Sequence, residues 1–171
     1  ACTIHYVANN DQLTAGDFII IDVGAEYDHY AADITRTVII GQPNRRQQAV
    51  YDAAEEVQNY AFSLLKPGVL MREYEEKIEK YMGEKLRELN LIKTITHEDV
   101  RKYFPHATSH FLGLNAHDAG DYNHPLEPGV VLAVEPGIYI PEEGIGVRIE
   151  DNVVIGQKSL KILTKKMPKG I

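Results

Sequence analysis

Apolar positions fall into strand-like runs at both ends of the chain and into helical stripes between them. "DFIIIDVG" (17–24) is a continuous apolar run closed by glycine, and "DITRTVII" (33–40) is rich in β-branched residues, which together predict two neighbouring strands. The loop "GQPN" follows, and Asn44 with Gln47 three positions on has the spacing of a helix start. Val50, Ala53, Ala54, Val57, Ala61 and Leu64 then recur at helical spacing until "KPG" at 66–68 stops the run. Met71, Tyr74, Ile78, Met82, Leu86 and Leu89 mark one face of a second helix whose other face is charged and solvated. After a polar connector the pattern returns to strands at 130–140, 144–156 and 160–164. No low-complexity linker divides these elements. The expectation is one α+β domain over residues 1–171, with helices covering a mainly antiparallel sheet.

Composition narrows the function classes. With 171 residues, 44% of them hydrophobic, the chain is large enough to bury a core rather than remain disordered. A formal charge of −7 and the absence of a Lys/Arg cluster leave no field for a nucleic-acid backbone. No apolar run approaches the roughly twenty residues of a membrane span. Cys2 is the single cysteine, which rules out an intrachain disulfide and favours a reducing, cytoplasmic setting. The opening "ACTIHYVANN" runs straight into strand-like sequence without an initiator Met, so a piece of something longer is expected.

The strands carry the first chemical signal. A hairpin centred between Tyr27 and Asp28 sets Asp22 opposite Asp33, and one centred between Glu142 and Glu143 sets Glu135 opposite Glu150. Cross-strand partners stand about 4.5–5.5 Å apart at Cβ, where two ionised carboxylates repel unless a cation or a proton intervenes. A single such pair is ordinarily a solvated strand end. Two pairs supply a charge that balances two divalent cations, and carboxylates can bridge metals roughly 3.5–4 Å apart in a hydrolytic centre.

The histidines follow from that context. His29, His97 and His124 read as surface or structural groups, whereas His106, His110 and His117 lie near Gly113 and Gly120, where backbone can approach a ligand closely. One imidazole added to four carboxylates makes an oxygen-rich dinuclear site that favours Mn2+, with Co2+, Fe2+ or Zn2+ as other candidates. The remaining imidazoles are then free for proton transfer or substrate contact. Arg148 shares a strand face with Glu150, as Thr35 does with Asp33; each is suited to support a carboxylate, and Arg148 equally to hold a substrate terminus.

In this order, "IDVGAEYDHYAADITRT", "SHFLGLNAHD", "VEPGIYI" and "GVRIEDNV" resemble the catalytic domain of the pita-bread metallopeptidases, in particular the Xaa-Pro aminopeptidase branch, with prolidase next. The resemblance runs from about His5 to the end of the chain. It implies the curved, helix-covered pita-bread sheet, with the front of the domain missing here. It implies Asp22, Asp33, His110, Glu135 and Glu150 as metal ligands, with Asp33 and Glu150 bridging. It also places His5, His106, His117 and Arg148 around the substrate pocket. Ala107 and Ala116 stand where the family commonly has Gly and Val, small changes that bear on specificity more than on metal binding.

The implied activity is metal-assisted hydrolysis of the peptide bond ahead of a proline at the substrate's second position. Glu135 would relay the proton, while His117 and His5 steady the transition state. Prolidase is the alternative within peptidases. A metal-free creatinase-type C–N hydrolase or a partner-binding homologue are the alternatives outside them, and a homo-oligomer is compatible with all of these readings.

Overall fold

A computed structural model describes residues 1–171. Asn44 caps the first helix as its spacing predicts. Its side chain accepts the Gln47 N–H and the Gln47 side chain accepts the Asn44 N–H, both at 2.9 Å. The helix, α1, runs Arg45–Leu64 and buries Val50, Ala53, Ala54, Val57 and Ala61. The second, α2 (Met71–Glu88), buries Met71, Tyr74, Ile78, Met82 and Leu86, the stripe read from the sequence, and Leu89 just beyond it is buried too. Both stripes enter one hydrophobic core with Leu132, Ile138, Val147 and Ile149 from the strands. Neither these helices nor any other element is long and apolar enough to cross a membrane as a helix.

The polar connector holds a helix, and further on the short strand Ser109–Phe111, that periodicity did not show. A short helix, α3 (His97–Tyr103), starts at Thr96, whose hydroxyl accepts the Asp99 N–H at 3.2 Å. With Val100 and Tyr103 as its only buried residues, it is too short to display a stripe.

The front of the chain is one antiparallel excursion: β1 (Phe18–Val23), the two-residue arms β2 (Glu26–Tyr27) and β3 (Tyr30–Ala31), and β4 (Ile34–Ile39). Its register corrects the expected one by two residues. Asp22 faces Thr35, not Asp33, because the turn is centred on Asp28 and His29. Both have positive φ (50° and 69°), the conformation a two-residue hairpin turn of matching twist requires. A shift of two leaves side-chain parity unchanged, so Asp22 and Asp33 stay on one face, as diagonal neighbours instead of direct partners.

At the back, β5 (Ser109–Phe111), β6 (Val131–Val134), β7 (Gly137–Ile140), β8 (Ile145–Arg148), β9 (Asp151–Ile155) and β10 (Leu160–Ile162) pair antiparallel throughout. The order β10-β9-β6-β5 makes a four-stranded sheet, and β7 with β8 a separate hairpin. The apolar runs 130–140 and 144–156 are therefore not single strands. Each breaks at the same level, at Glu135–Pro136 and at Ile149–Glu150. Pro136 has no N–H to donate; Glu135 N–H bonds Thr108 O at 2.7 Å beside β5, Glu150 N–H bonds Thr35 O at 3.0 Å on β4, and of these amides only Ile149 N–H, to Pro136 O at 3.4 Å, joins the two breaks. The β7–β8 register is the expected one, with Gly137 opposite Arg148; carried two residues further, it sets Glu135 against Glu150 at the break.

Candidate metal centre

The two strand breaks, the β1–β4 pair and β5 bring the predicted carboxylates to one place. Ligand atoms of Asp22, Asp33 and Glu150 lie within 4.8 Å of one another, as do those of His110, Glu135 and Glu150, and those of Asp33, His110 and His117. Glu150 belongs to both carboxylate-rich groups. It is buried, and its Oε2 accepts the Thr35 hydroxyl at 2.7 Å, the supporting contact expected of Thr35.

His110, on β5, presents one nitrogen to the cluster. Its Nδ1 lies 3.1 Å from Phe111 O, so Nδ1–H is the donor, and Nε2 is the nitrogen left to offer a lone pair once its own proton is displaced. Nε2 stands 3.6 Å from Glu135, 3.8 Å from Glu150 and 3.9 Å from Asp33. Four carboxylates and one imidazole with its lone pair aimed inward fit divalent cations by donor chemistry, and oxygen-rich sets suit harder ions.

The strain of holding these acids together shows in their proton affinities. Burial, then the Glu150 and Asp22 carboxylates, push Asp33 up to about 7. Burial and Glu150 push Glu135 up to about 8. Burial alone would lower His110, yet Glu150, the Phe111 carbonyl and Glu135 lift it to about 9. Without cations, the folded chain thus holds more protons than the unfolded chain from the ordinary carboxylate range up to about pH 9. Stability must then fall as pH rises through that window. Chelator-treated protein is expected to melt at lower temperature at pH 9 than at pH 5. Added divalent cation should raise the melting temperature more at pH 8 than at pH 5.5, because it replaces the protons. Differential scanning fluorimetry measures both, and the opposite slope would count against a cation site.

Around the cluster lie the other predicted residues. Arg148 is buried and uses three of its N–H groups: Nη2 to Asp22 Oδ2 at 2.6 Å, Nε to the Thr35 hydroxyl at 3.2 Å and Nη1 to the Tyr139 hydroxyl at 2.9 Å. It braces Asp22 and is one of the residues lining the adjacent cavity. His106 donates from Nδ1 to Ala107 O and accepts from the Tyr139 hydroxyl at Nε2, both at 2.9 Å. Burial drives it down to about 4, helped by Arg148 and against the Ala107 contact, so it is neutral near pH 7. His117 is exposed, its ring centroid 4.1 Å from that of His110; partial burial and His110 lower its proton affinity. His5 lines a cavity of about 700 Å3 formed by residues of the first thirteen positions against β1, with Asp22 and Arg148 at its edge. Its charge reaches both His106 and His117.

His97 and His124 pair with Glu79 and Glu127 at the surface, and His29 sits in the β2–β3 turn, as their surface reading implies. Two contributors went unnoticed in the sequence. Tyr139 links Arg148 to His106, and Asn152 grips the backbone of Asp33, accepting its N–H at 3.1 Å and donating to its carbonyl. Tyr139 looks like one more apolar strand position. Asn152 stands in a run of acidic and β-branched residues without any spacing that ties it to Asp33.

Residues 1–157 match the model of metallopeptidase family M24. The chain is 40% identical over 184 aligned positions to rat (Rattus norvegicus) Xaa-Pro aminopeptidase 3, covering 99% of this chain and 36% of that protein. It is 38% identical over 165 positions to the Xaa-Pro dipeptidase of Pyrococcus furiosus, covering 94% of this chain and 43% of the other. Among solved structures, proline aminopeptidase P II from Yersinia pestis matches with a TM-score of 0.92 and 39% identity, over 99% of this chain and 43% of that one. The chain thus spans less than half the length of the proteins it matches.

Proposed function

Because the chain belongs to metallopeptidase family M24 and has the pita-bread α+β fold, we propose that residues 1–171 form the metal-binding part of a larger catalytic domain. In the whole protein this domain would be an aminopeptidase that releases the residue ahead of proline. Family membership implies divalent metal ions. We take their number as two and manganese as the first candidate, since four carboxylates and one imidazole match two hard-to-borderline cations in charge and donor type. Asp22, Asp33, His110, Glu135 and Glu150 would hold them, Asp33 and Glu150 in common. Bound there, divalent cations supply Lewis acidity for a scissile carbonyl and lower the pKa of water.

The chain's own residues do the rest. Glu135 would take a proton from attacking water and pass it to the proline nitrogen. His117, beside His110, and His5, in the cavity along β1, would offer N–H donors to the carbonyl oxygen as charge develops on it. Arg148 and His106, joined through Tyr139, shape the cavity wall where the substrate's remaining groups would lie. A cytoplasmic setting, consistent with the lone free Cys2, belongs to the same proposal.

The observation carrying this reading is that the five side chains fall into two adjoining groups, Asp22, Asp33 and Glu150 and His110, Glu135 and Glu150, which share Glu150. Metal analysis of the whole protein together with a panel of Xaa-Pro dipeptides and longer Xaa-Pro peptides tests it. The expected result is about two equivalents of metal and faster cleavage of the longer peptides. Faster cleavage of dipeptides would favour the dipeptidase reading that the Pyrococcus relative supports. Turnover without metal, or metal without turnover on either class, would overturn both.

A further inference from the structure

Beyond the capping Gln47, the core face of α1 contains a buried glutamine that no part of the proposed chemistry uses. Gln58 is fully buried among Ala54, Val57 and Ala61. Its Nε2 donates to Val134 O at 3.2 Å and to Ile149 O at 3.0 Å, and its Oε1 accepts from Lys169 Nζ at 2.6 Å. Val134 and Ile149 are the residues immediately before Glu135 and Glu150. One amide group therefore cross-links the two strand breaks at which both glutamates leave the sheet.

The orientation of this amide is over-determined. Two carbonyls can only accept and an ammonium can only donate, so the NH2 end must face the strands and the oxygen must face Lys169. Lys169 is fixed in turn by Asp151, 2.7 Å away, whose other oxygen holds Arg36 at 2.8 Å. Arg36 closes the circuit by donating to the Glu150 carbonyl at 2.6 Å. Gly170 N–H donates to the Tyr51 hydroxyl at 2.7 Å, which ties the tail carrying Lys169 back to α1.

We propose that Gln58, oriented by Lys169, is a positioning residue that sets the spacing between the Glu135 and Glu150 carboxylates and thereby the strength of cation binding. The inference rests on the ligand reading above. The physical reason is that the ladder between the two breaks thins to one long hydrogen bond, Ile149 N–H to Pro136 O at 3.4 Å, while Glu135 N–H and Glu150 N–H go to Thr108 and Thr35 on other segments, so the Gln58 amide is the second link that holds the two backbones at their spacing. Contacts one step behind a ligand change metal affinity by roughly 10–100-fold when removed.

The test uses the intact protein, with Co2+ as probe, read by calorimetry and by the visible absorption of the bound ion. Gln58→Met keeps the volume and removes the hydrogen bonds. It should bind Co2+ at least about tenfold more weakly, with an altered spectrum. Lys169→Met leaves the two carbonyl contacts but frees the amide, and should give a smaller loss in the same direction. Leu86→Ala, a core truncation on α2, should lower the melting temperature while leaving Co2+ affinity unchanged, which separates positioning from mere destabilisation. Glu150→Gln serves as the reference. If it binds Co2+ like the unaltered protein, the ligand reading fails and takes this inference with it. If Glu150→Gln loses the metal while every folded Gln58 or Lys169 variant binds normally, this inference alone is overturned. Should neither the Gln58 nor the Lys169 variant fold, these contacts belong to the fold and the inference is overturned too.

Discussion

Glu150→Gln in the whole protein should, under the proposed function, reduce bound metal from about two equivalents to one or fewer and lower Xaa-Pro hydrolysis by about a thousandfold or more, the scale on which loss of a charged transition-state stabiliser is felt. Glu150 is the residue shared by the two carboxylate-rich groups. It is 2% exposed, with one oxygen committed to the Thr35 hydroxyl at 2.7 Å and the other 3.8 Å from His110 Nε2. Glutamine preserves the shape and removes the charge that makes the position useful to two cations. Global unfolding would not account for the result, because the same change relieves repulsion on Asp33 and Glu135 and in exchange gives up the attraction that lifts His110. Metal-free Glu150→Gln protein is therefore expected to melt close to the unaltered chain at pH 8. Elemental analysis and peptide turnover read the first effect, and a melting curve the second. Retained activity would sink the assignment of this cluster as the catalytic centre.

His110→Ala and His117→Ala are expected to part company. Both rings belong to the site, with centroids only 4.1 Å apart, and Asp33, His110 and His117 could together hold a cation by distance alone. Their surroundings differ. His110 is buried, its Nδ1–H is tied to Phe111 O at 3.1 Å, and its Nε2 looks onto three carboxylates. His117 is exposed, and no side chain or carbonyl pins its ring. His110→Ala should weaken metal binding by about 100-fold or more, beyond the cost of losing an outer partner. His117→Ala should keep the metal and lose turnover by roughly 10²–10³-fold, the worth of one proton-transfer or oxyanion contact. Metal titration alongside kcat decides between them. Loss of metal from the His117 variant with retention in the His110 variant would exchange their roles.

Much of this was legible in the chain itself. The capping pair Asn44 and Gln47, and the apolar stripes of α1 and α2, are local patterns whose period matches the helix that buries them, and each helix lies where its stripe put it. The Glu135–Glu150 register was legible for a similar reason: a short loop joins the β7–β8 arms, leaving little freedom of alignment. The first hairpin was misaligned by two residues because Asp28–His29 lacks the glycine that usually marks a two-residue turn. Its chemistry survived the error, since a two-residue shift keeps Asp22 and Asp33 on the same face. Helix α3 and strand β5 escaped notice because elements of seven and three residues are too short for a period to show.

Sequence alone determined which residue types carry the chemistry, the helices that form the core and the faces on which the acids stand, all of them properties of neighbours a few positions apart. Tertiary structure decided what distance along the chain conceals. It interrupted two apolar runs at Glu135–Pro136 and Ile149–Glu150, and it turned His110 Nε2 toward the carboxylates by tying Nδ1–H to Phe111 O. It also closed the long-range contacts from Thr35 to Glu150, Arg148 to Asp22 and Asn152 to Asp33. Each of these joins groups more than a hundred residues apart, and only the packed fold brings their atoms within hydrogen-bonding reach.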